Sequence, residues 1–179
     1  LARARPGTLN FGSSGAGSTS HLTAVLFNTM AGINVLHVPY KGSAPAAIDL
    51  IGGQLNFIFE AVAGGMPLVR SGRLRALGIS STKRLPLLPD LNTIAEAGLL
   101  GYEASVIHGI CVTAKTPPAL VARLHRELVA AITVPEVRER LAAIGAEVLA
   151  STPEEYQAAT RAEIKRWEKV VRDFAARSG

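Results

Sequence analysis

The first half of the chain repeats one unit, in which a short apolar strand is followed by a glycine-bearing loop and then by a helix. Residues 8–11, 34–38 and 55–59 have the apolar and β-branched composition of strands, and the loop after each of them contains glycine. Strands that alternate with helices form a parallel sheet with the helices packed against its faces. The sequence therefore predicts an α/β fold with a mainly parallel sheet and flanking helices.

Helical and extended patterns continue through the rest of the chain. Further strands are expected at residues 74–80, 104–113 and 147–149. Helices are expected at residues 19–31, 43–51, 66–71, 93–97, 118–132, 135–144 and 153–176, and a proline near the first turn opens each of the last three. Because the pattern becomes helical after residue 114, the sequence divides into an α/β part, residues 1–114, and a helical part, residues 115–179.

Three loops of the first part are expected to lie side by side. Residues 12–18, 40–44 and 60–65 each follow one of the first three predicted strands. The carboxyl ends of parallel strands meet at one edge of a sheet, and ligands of such sheets bind beyond that edge. The connectivity therefore predicts a cleft lined by these loops.

The first loop belongs to a run of small and hydroxyl residues, Gly12-Ser-Ser-Gly-Ala-Gly-Ser-Thr-Ser-His21, at the start of a helix, where N–H groups and the helix dipole favour an anion. The run has the spacing of a phosphate-binding loop, but Ser18 stands where that motif requires lysine. It also begins like a dinucleotide-binding fingerprint, but Ser20 replaces the third glycine. Two interpretations stay open: a nest of donors for a carboxylate, and a plain glycine-rich turn with a serine cap.

Other polar groups near the predicted cleft have a structural interpretation beside the functional one. Ser18 and His21 lie three residues apart on one helical face, which allows an acid–base pair, but no acidic residue close in sequence would orient the imidazole. Tyr40 and Lys41 offer a ring edge and a cation to an anionic ligand, or are simply solvated. Glu60 either receives an ammonium or hydroxyl group of a ligand, or only favours the positive end of the next helix.

Several classes of function lack the sequence features that they require. The histidines have no metal-ligand spacing, and the G-x-S-x-G elbow of serine hydrolases is absent. The net charge of +5 is carried by scattered cations with few aromatic residues, so no nucleic-acid partner is expected. No apolar run approaches the roughly 20 residues that span a bilayer, and the single cysteine, Cys111, is expected to be a small buried residue.

Six segments in a fixed order resemble the solute-binding proteins of tripartite tricarboxylate transporters, often called Bug receptors. They are Gly12-Ser-Ser-Gly-Ala-Gly-Ser-Thr-Ser-His21, Val38-Pro-Tyr-Lys-Gly-Ser-Ala-Pro-Ala46, Asp49-Leu-Ile-Gly-Gly-Gln54, Gly72-Arg-Leu-Arg-Ala-Leu77, Leu88-Pro-Asp-Leu-Asn-Thr93 with Ala95-Glu-Ala-Gly98, and Pro153-Glu-Glu155. Together they cover nearly all of the chain.

The resemblance implies a type II periplasmic-binding-protein (Venus flytrap) fold and a periplasmic, non-catalytic receptor without a cofactor or metal. The receptor would bind a small carboxylate (a dicarboxylate, an acidic amino acid or an aromatic acid) and deliver it to a membrane permease. Ligand-binding residues are then expected at Ser13, Ser14, Gly15, Ala16, Gly17, Ser18, His21, Tyr40, Lys41, Gly42, Phe59, Glu60, Ala61 and His108. The alternatives are an enzyme that uses Ser18 and His21 or a degenerate phosphate loop, and an orphan sensor or interaction protein.

The resemblance also assigns the two parts of the chain. Residues 1–114 correspond to the second lobe of such a receptor, and residues 115–179 to the C-terminal segment that returns to the first lobe. The N-terminal part of the first lobe and a signal peptide are thus expected to lie outside this sequence. Because the apolar stripes of the last helices would then lack their cover, self-association of this chain is expected.

Overall fold

The computed structural model describes residues 1–178, and for residues 173 and 175–178 the description covers the backbone alone. Contacts within the chain define two compact units. Unit 1 comprises Leu1–Ser105 and Trp167–Gly179, and unit 2 comprises Val106–Arg166. The elements in chain order are β1 (Asn10–Ser13), α1 (Thr19–Ala31), β2 (Leu36–Pro39), α2 (Ser43–Ile51), β3 (Phe57–Ile58), α3 (Val62–Arg70), α4 (Pro118–Ile132), α5 (Pro135–Ala143) and α6 (Pro153–Ser178). The assignment of residues 1–114 and 115–179 to two lobes stays a prediction.

The sheet of unit 1 is parallel, with the strand order β2-β1-β3. Alternation along β1 sends neighbouring side chains to opposite faces. Phe11 lies in one core cluster with Ala24 of α1, whereas Gly12 faces Ala46 of α2. The sheet is therefore covered by a helix on each face, which confirms the predicted α/β arrangement.

Aromatic rings fill the space between the sheet and α1. Phe27 of α1 lies between Phe57 and Phe59, with ring centroids 6.3 and 5.7 Å away. Tyr102 is 1% exposed, stands edge-on to Phe27 at 5.8 Å and donates its hydroxyl hydrogen to the Thr23 carbonyl at 3.0 Å. Because a buried phenol needs such an acceptor, this bond fixes the chain around residue 102 against α1.

The predicted helices agree with the structure better than the predicted strands. The bounds of α1, α2 and α4 match the prediction, since α1 ends at a left-handed Gly32 and α4 opens with proline. By contrast, β1 begins two residues later than predicted, and α3 begins at Val62 rather than at residue 66. Just before α3, the Glu60 carboxyl accepts the Ala61 N–H at 3.2 Å, and the helix has no side-chain cap.

The strands predicted at residues 74–80, 104–113 and 147–149 are wrong for the described part of the chain. The first of these segments contributes a single parallel bridge, between Ile79 and Thr93. A strand needs a neighbour for its N–H and C=O groups, and local composition does not supply one. Cys111, in the second segment, is exposed, so its expected burial is also wrong.

The helix predicted at residues 93–97 is a turn instead. Its start has the expected reciprocal cap, since Thr93 N–H donates to Glu96 Oε2 at 2.8 Å and Glu96 N–H donates to Thr93 Oγ1 at 3.0 Å. Gly98, with φ of +113°, ends the segment after this one turn. A cap without further turns cannot repay the cost of helix nucleation. Within the described residues, no helix is both long and apolar enough to cross a membrane.

Gly12 tests how closely α2 approaches the sheet. A Cβ at this position would lie 2.5 Å from Leu55 Cδ1 and 3.3 Å from Ala46 Cβ. Because both neighbours are buried, we expect Gly12→Ala to lower the free energy of unfolding by about 1–3 kcal/mol in urea denaturation. Gly52→Ala is the control, since its Cβ would meet nothing closer than 3.5 Å, and should change stability by less than about 0.5 kcal/mol. Equal effects of both variants would contradict this account.

Candidate functional site

The loops after β1, β2 and β3 meet at the carboxyl edge of the sheet. The Tyr40 N–H donates to the Ser13 carbonyl at 3.0 Å, and the Gly42 N–H donates to the Ser14 carbonyl at 3.2 Å. The Ser43 side chain, in turn, acts to lower the pKa of the Glu60 carboxyl in the third loop. The connectivity thus brings these segments together, as a parallel sheet requires.

Most donors of the glycine–serine loop, residues 12–18, are used inside the loop. The Ser14 N–H donates to Ser20 Oγ at 3.0 Å, the Gly15 N–H to Ser13 Oγ at 3.2 Å, and the Gly17 N–H to His21 Nδ1 at 3.1 Å. These bonds hold a backbone in which Gly15 and Gly17 have φ of +135° and +76°, values that favour glycine. The loop is therefore ordered by its own side chains.

Among the N–H groups of residues 14–20, those of Ala16, Thr19 and Ser20 have no acceptor in the described part of the chain. Ala16 is exposed in the middle of the loop, and the other two residues form the first turn of α1. Unsatisfied N–H groups at a helix start carry partial positive charge. The donor set for an anion is thus narrower than the sequence predicted, and it includes Thr19 and Ser20, which the predicted set lacked.

The hydroxyl groups of the loop are structural. Ser18 is the N-cap of α1: its Oγ accepts the His21 N–H at 3.3 Å and donates to the Gly15 carbonyl at 2.7 Å. The Ser20 hydroxyl lies 3.1 Å from both Ser14 Oγ and Ser18 Oγ. Because His21 Nδ1 already accepts the Gly17 N–H, the structure does not pair Ser18 and His21 as acid and base.

His37 is a functional candidate that the sequence analysis missed. Its Nε2 lies 2.7 Å from Ser13 Oγ, and its ring stacks on His21 at 4.0 Å and on Phe11 at 4.9 Å. Ser13 is 2% exposed, so this serine–histidine pair is closed to a substrate. The register that pairs Phe11 with His37 puts both side chains on the α1 face of the sheet, but it is set by pairing that a single sequence does not reveal.

Both stacked histidines are held in the neutral form. Burial lowers the pKa of His21. Burial and, second, the charge of His21 lower the pKa of His37 to about 4. Since removal from water disfavours the charged imidazole, the site contains two neutral rings at neutral pH.

In the second loop, Tyr40 and Lys41 differ in how their polar groups are placed. The Tyr40 hydroxyl donates to Asp49 Oδ2 at 2.6 Å, and this bond, with burial and the Asp49 charge, raises the pKa of the phenol. Lys41 is exposed, and Gly42 has φ of +115°. The Tyr40 hydroxyl is therefore bonded to Asp49 of α2, whereas the Lys41 side chain is exposed to solvent.

In the third loop, Glu60 lies against the first turn of α3. A Cβ at Gly64 would come within 2.8 Å of Glu60 Oε1, so the small residues of this turn make room for the carboxyl. Burial raises the pKa of Glu60, while bonds from Ala61 N–H and Ser43 act in the opposite direction. The carboxyl thus lies beside the first turn of α3, but this helix has no side-chain cap. Phe59 packs into the aromatic core beside Phe27, and Ala61 is exposed.

Some predicted features do not belong to these loops. His108 belongs to unit 2, not to the unit that carries the loops. A shallow groove of about 320 Å³ is lined by Ala76 and residues 87–91, none of which belongs to the predicted site. Among the residues that the structure describes, no group of three His, Cys, Asp or Glu side chains is arranged to hold a metal ion.

A parallel sheet covered by helices, with a glycine–serine loop and unpaired N–H groups at its carboxyl edge, is the architecture of an α/β protein. The chain belongs to the tripartite tricarboxylate transporter family receptors (TctC), whose family model matches residues 1–175. It is 37% identical to a protein of the tcbD–tcbE intergenic region of Pseudomonas sp. strain P51, over 97% of this chain and 52% of that protein. It is also 37% identical to a protein of the clcB–clcD intergenic region of Pseudomonas knackmussii, over 88% of this chain and 94% of that one.

Solved structures of the family have the same fold. Rpa4515 of R. palustris, solved with adipate, superposes with a TM-score of 0.91 at 38% identity, over 97% of this chain and 58% of that one. The periplasmic binding protein BugD gives 0.86 at 32%, over 97% and 59%. MatC of Rhodopseudomonas palustris, with bound malate, gives 0.82 at 31%, over 95% and 59%. The predicted periplasmic-binding-protein fold is confirmed, and the chain spans little more than half the length of these proteins.

The stacked histidines predict a pH dependence of stability. Since the pKa of His37 is about 4 in the folded protein and the ordinary pKa of histidine is 6.5, the unfolded chain binds more protons between these values. The free energy of unfolding should therefore fall as the pH drops from 6.5 to about 4. Urea denaturation across this range should show a smaller fall for His37→Gln, which cannot titrate. A His37 ring that titrates near 6.5 by NMR in the folded protein would contradict the prediction.

Proposed function

We propose that this chain carries the carboxylate-binding loops of a periplasmic, non-catalytic solute receptor. The observation that carries the proposal is the set of unpartnered N–H groups at Ala16, Thr19 and Ser20, directed by an ordered glycine loop at the start of α1. Such a group of donors suits one end of a carboxylate without requiring a cation. Two related structures, one solved with adipate and one with bound malate, support a carboxylate as the ligand.

The proposed ligand is a dicarboxylate, an acidic amino acid or an aromatic acid. Ala16, Gly17, Lys41 and Ala61 keep exposed positions on the three loops, so they remain candidates for direct contact. Glu60 adds a negative charge to the third loop, which disfavours a second carboxylate beside it and favours a hydroxyl or ammonium group there. Delivery of the ligand to a membrane permease is the role that family membership suggests.

The structural hydrogen bonds of the candidate nucleophiles support the proposal of binding rather than catalysis. Ser18 caps α1, and His21 accepts a backbone N–H, so neither side chain is poised for proton transfer to the other. Ser13 is bonded to His37 but is buried. The phosphate-loop alternative lacks a lysine at position 18, which is serine.

The proposed anion site is tested by a charge at Ala16. In Ala16→Asp a carboxylate would stand beside the free N–H groups, and repulsion of about 1–4 kcal/mol at about 4 Å should weaken carboxylate binding at least about tenfold. Ala16→Asn has nearly the same shape without the charge and should bind like the wild type. The measurement is an amide NMR titration with adipate, malate, aspartate and benzoate, in which the N–H signals of residues 16, 19 and 20 should shift saturably.

Two results would contradict the proposal. One is an absence of saturable shifts at these amides with all four ligands at millimolar concentrations. The other is equal affinity of the Asp and Asn variants.

We also propose that this chain associates with itself through the apolar stripe of α4. Leu120, Leu124 and Leu128 recur at four-residue spacing and are exposed in unit 2. Exposed apolar stripes of this kind favour association. Light scattering at tens of micromolar should therefore give a mass above the 18.8 kDa of one chain. Leu124→Glu should lower that mass, whereas Ala122→Glu, on the opposite side of the helix, should not. A compact monomer for the unmodified chain would exclude the association.

A further inference from the structure

The two stacked histidines are bonded to residues on either side of Ala16: His37 to Ser13 and His21 to the Gly17 N–H. His37 comes from β2 and His21 from α1, and their rings are 4.0 Å apart with an angle of 22° between them. Phe11 of β1 continues the stack on the other side of His37. We call Phe11, His37 and His21 the ring stack. The ring stack thus has one member from β1, one from β2 and one from α1. The glycine–serine loop connects β1 to α1.

Each histidine holds one end of the loop. His37 Nε2 shares a hydrogen bond with Ser13 Oγ at 2.7 Å, and the same oxygen accepts the Gly15 N–H at 3.2 Å. His21 Nδ1 accepts the Gly17 N–H at 3.1 Å. The peptide group that carries the Ala16 N–H is held at the Gly15 carbonyl, which accepts from Ser13 Oγ at 3.1 Å and from Ser18 Oγ at 2.7 Å. The peptide group that follows Ala16 is held through His21.

The histidines add to the bonds that Ser18 and Ser20 make to the same loop. Gly15 and Gly17 have wide conformational freedom, and a Cβ at Gly17 would meet nothing within 4 Å. A ligand that had to order such a loop would lose affinity to the entropy of ordering. Side-chain bonds made before the ligand arrives remove that loss.

We propose that His21 and His37 are positioning residues that preset the Ala16 N–H for the ligand, and that neither imidazole contacts the ligand itself. The proposal rests on the carboxylate site proposed above. It gives both histidines a role different from direct binding, which was the role predicted for His21. It also explains why a buried hydroxyl, that of Ser13, is retained under a loop of exposed backbone.

Paired substitutions separate the hydrogen bond from the ring. His21→Phe keeps a stacking ring and removes the acceptor for Gly17 N–H, whereas His21→Asn puts an amide oxygen close to the position of Nδ1. His37→Phe likewise removes the partner of Ser13, and His37→Gln puts an amide close to the position of Nε2. Each pair thus contains one variant that loses the bond and one that restores it.

Two measurements are made on all four variants. The first measurement is amide hydrogen exchange. The Gly17 N–H should exchange about tenfold faster in His21→Phe, and the Gly15 N–H about tenfold faster in His37→Phe. His21→Asn and His37→Gln should restore the protection of these two amides. In the NMR titration with malate, the Phe variants should bind about three- to tenfold more weakly, as expected for the loss of one net hydrogen bond, and the restoring variants should bind within about twofold of the wild type.

The outcomes distinguish this inference from the proposed function. If the unmodified chain does not bind malate, the carboxylate site is wrong, but exchange at Gly15 and Gly17 still tests whether the histidines order the loop. Equal exchange and affinity in all variants would overturn the positioning role. Equal losses of affinity in His21→Phe and His21→Asn would instead indicate direct contact by Nε2 and overturn it too. If His37→Phe does not fold, the His21 pair, whose ring is half-buried, gives the answer.

Discussion

The parallel pairing of β1 with β2 is the interaction on which the rest of the site depends. It sets Phe11 opposite His37 and Ser13 opposite Pro39, so that His37 reaches the serine at the end of the neighbouring strand. The same pairing brings Tyr40 N–H to the Ser13 carbonyl. A shift of one residue would move His37 to the α2 face, and Ser13 would lose its imidazole partner.

The ring stack shows how an apolar core continues into a polar site without a break. Phe11 belongs to the core, His37 joins the core to Ser13, and His21 joins the stack to the backbone of the loop. Neutral imidazoles suit this place, because each provides an apolar face for stacking and a ring nitrogen for a hydrogen bond. Burial that lowers both pKa values is thus part of the same arrangement.

The position of the candidate site could be predicted from the sequence, but the identity of its unpaired N–H donors could not. A strand, a glycine-rich run and a serine cap point to an anion site at the start of α1, and the order of the elements shows which loops adjoin it. Which N–H groups stay free depends on acceptors contributed by Ser13, Ser20 and His21. Ser20 was visible in the sequence only as a departure from a nucleotide motif, although its oxygen fills the interior of the loop.

The sequence by itself determined the helices and the place of the loop, because these depend on local signals: the cap at Ser18, the left-handed Gly32 and the prolines that open the later helices. It also determined the α/β class, through the alternation of strands with helices. Only the tertiary structure decided which extended segments become strands and which loop donors remain unpaired. Both depend on partners far away in the sequence, such as His37 for Ser13, and a pattern of neighbouring residues carries no information about them.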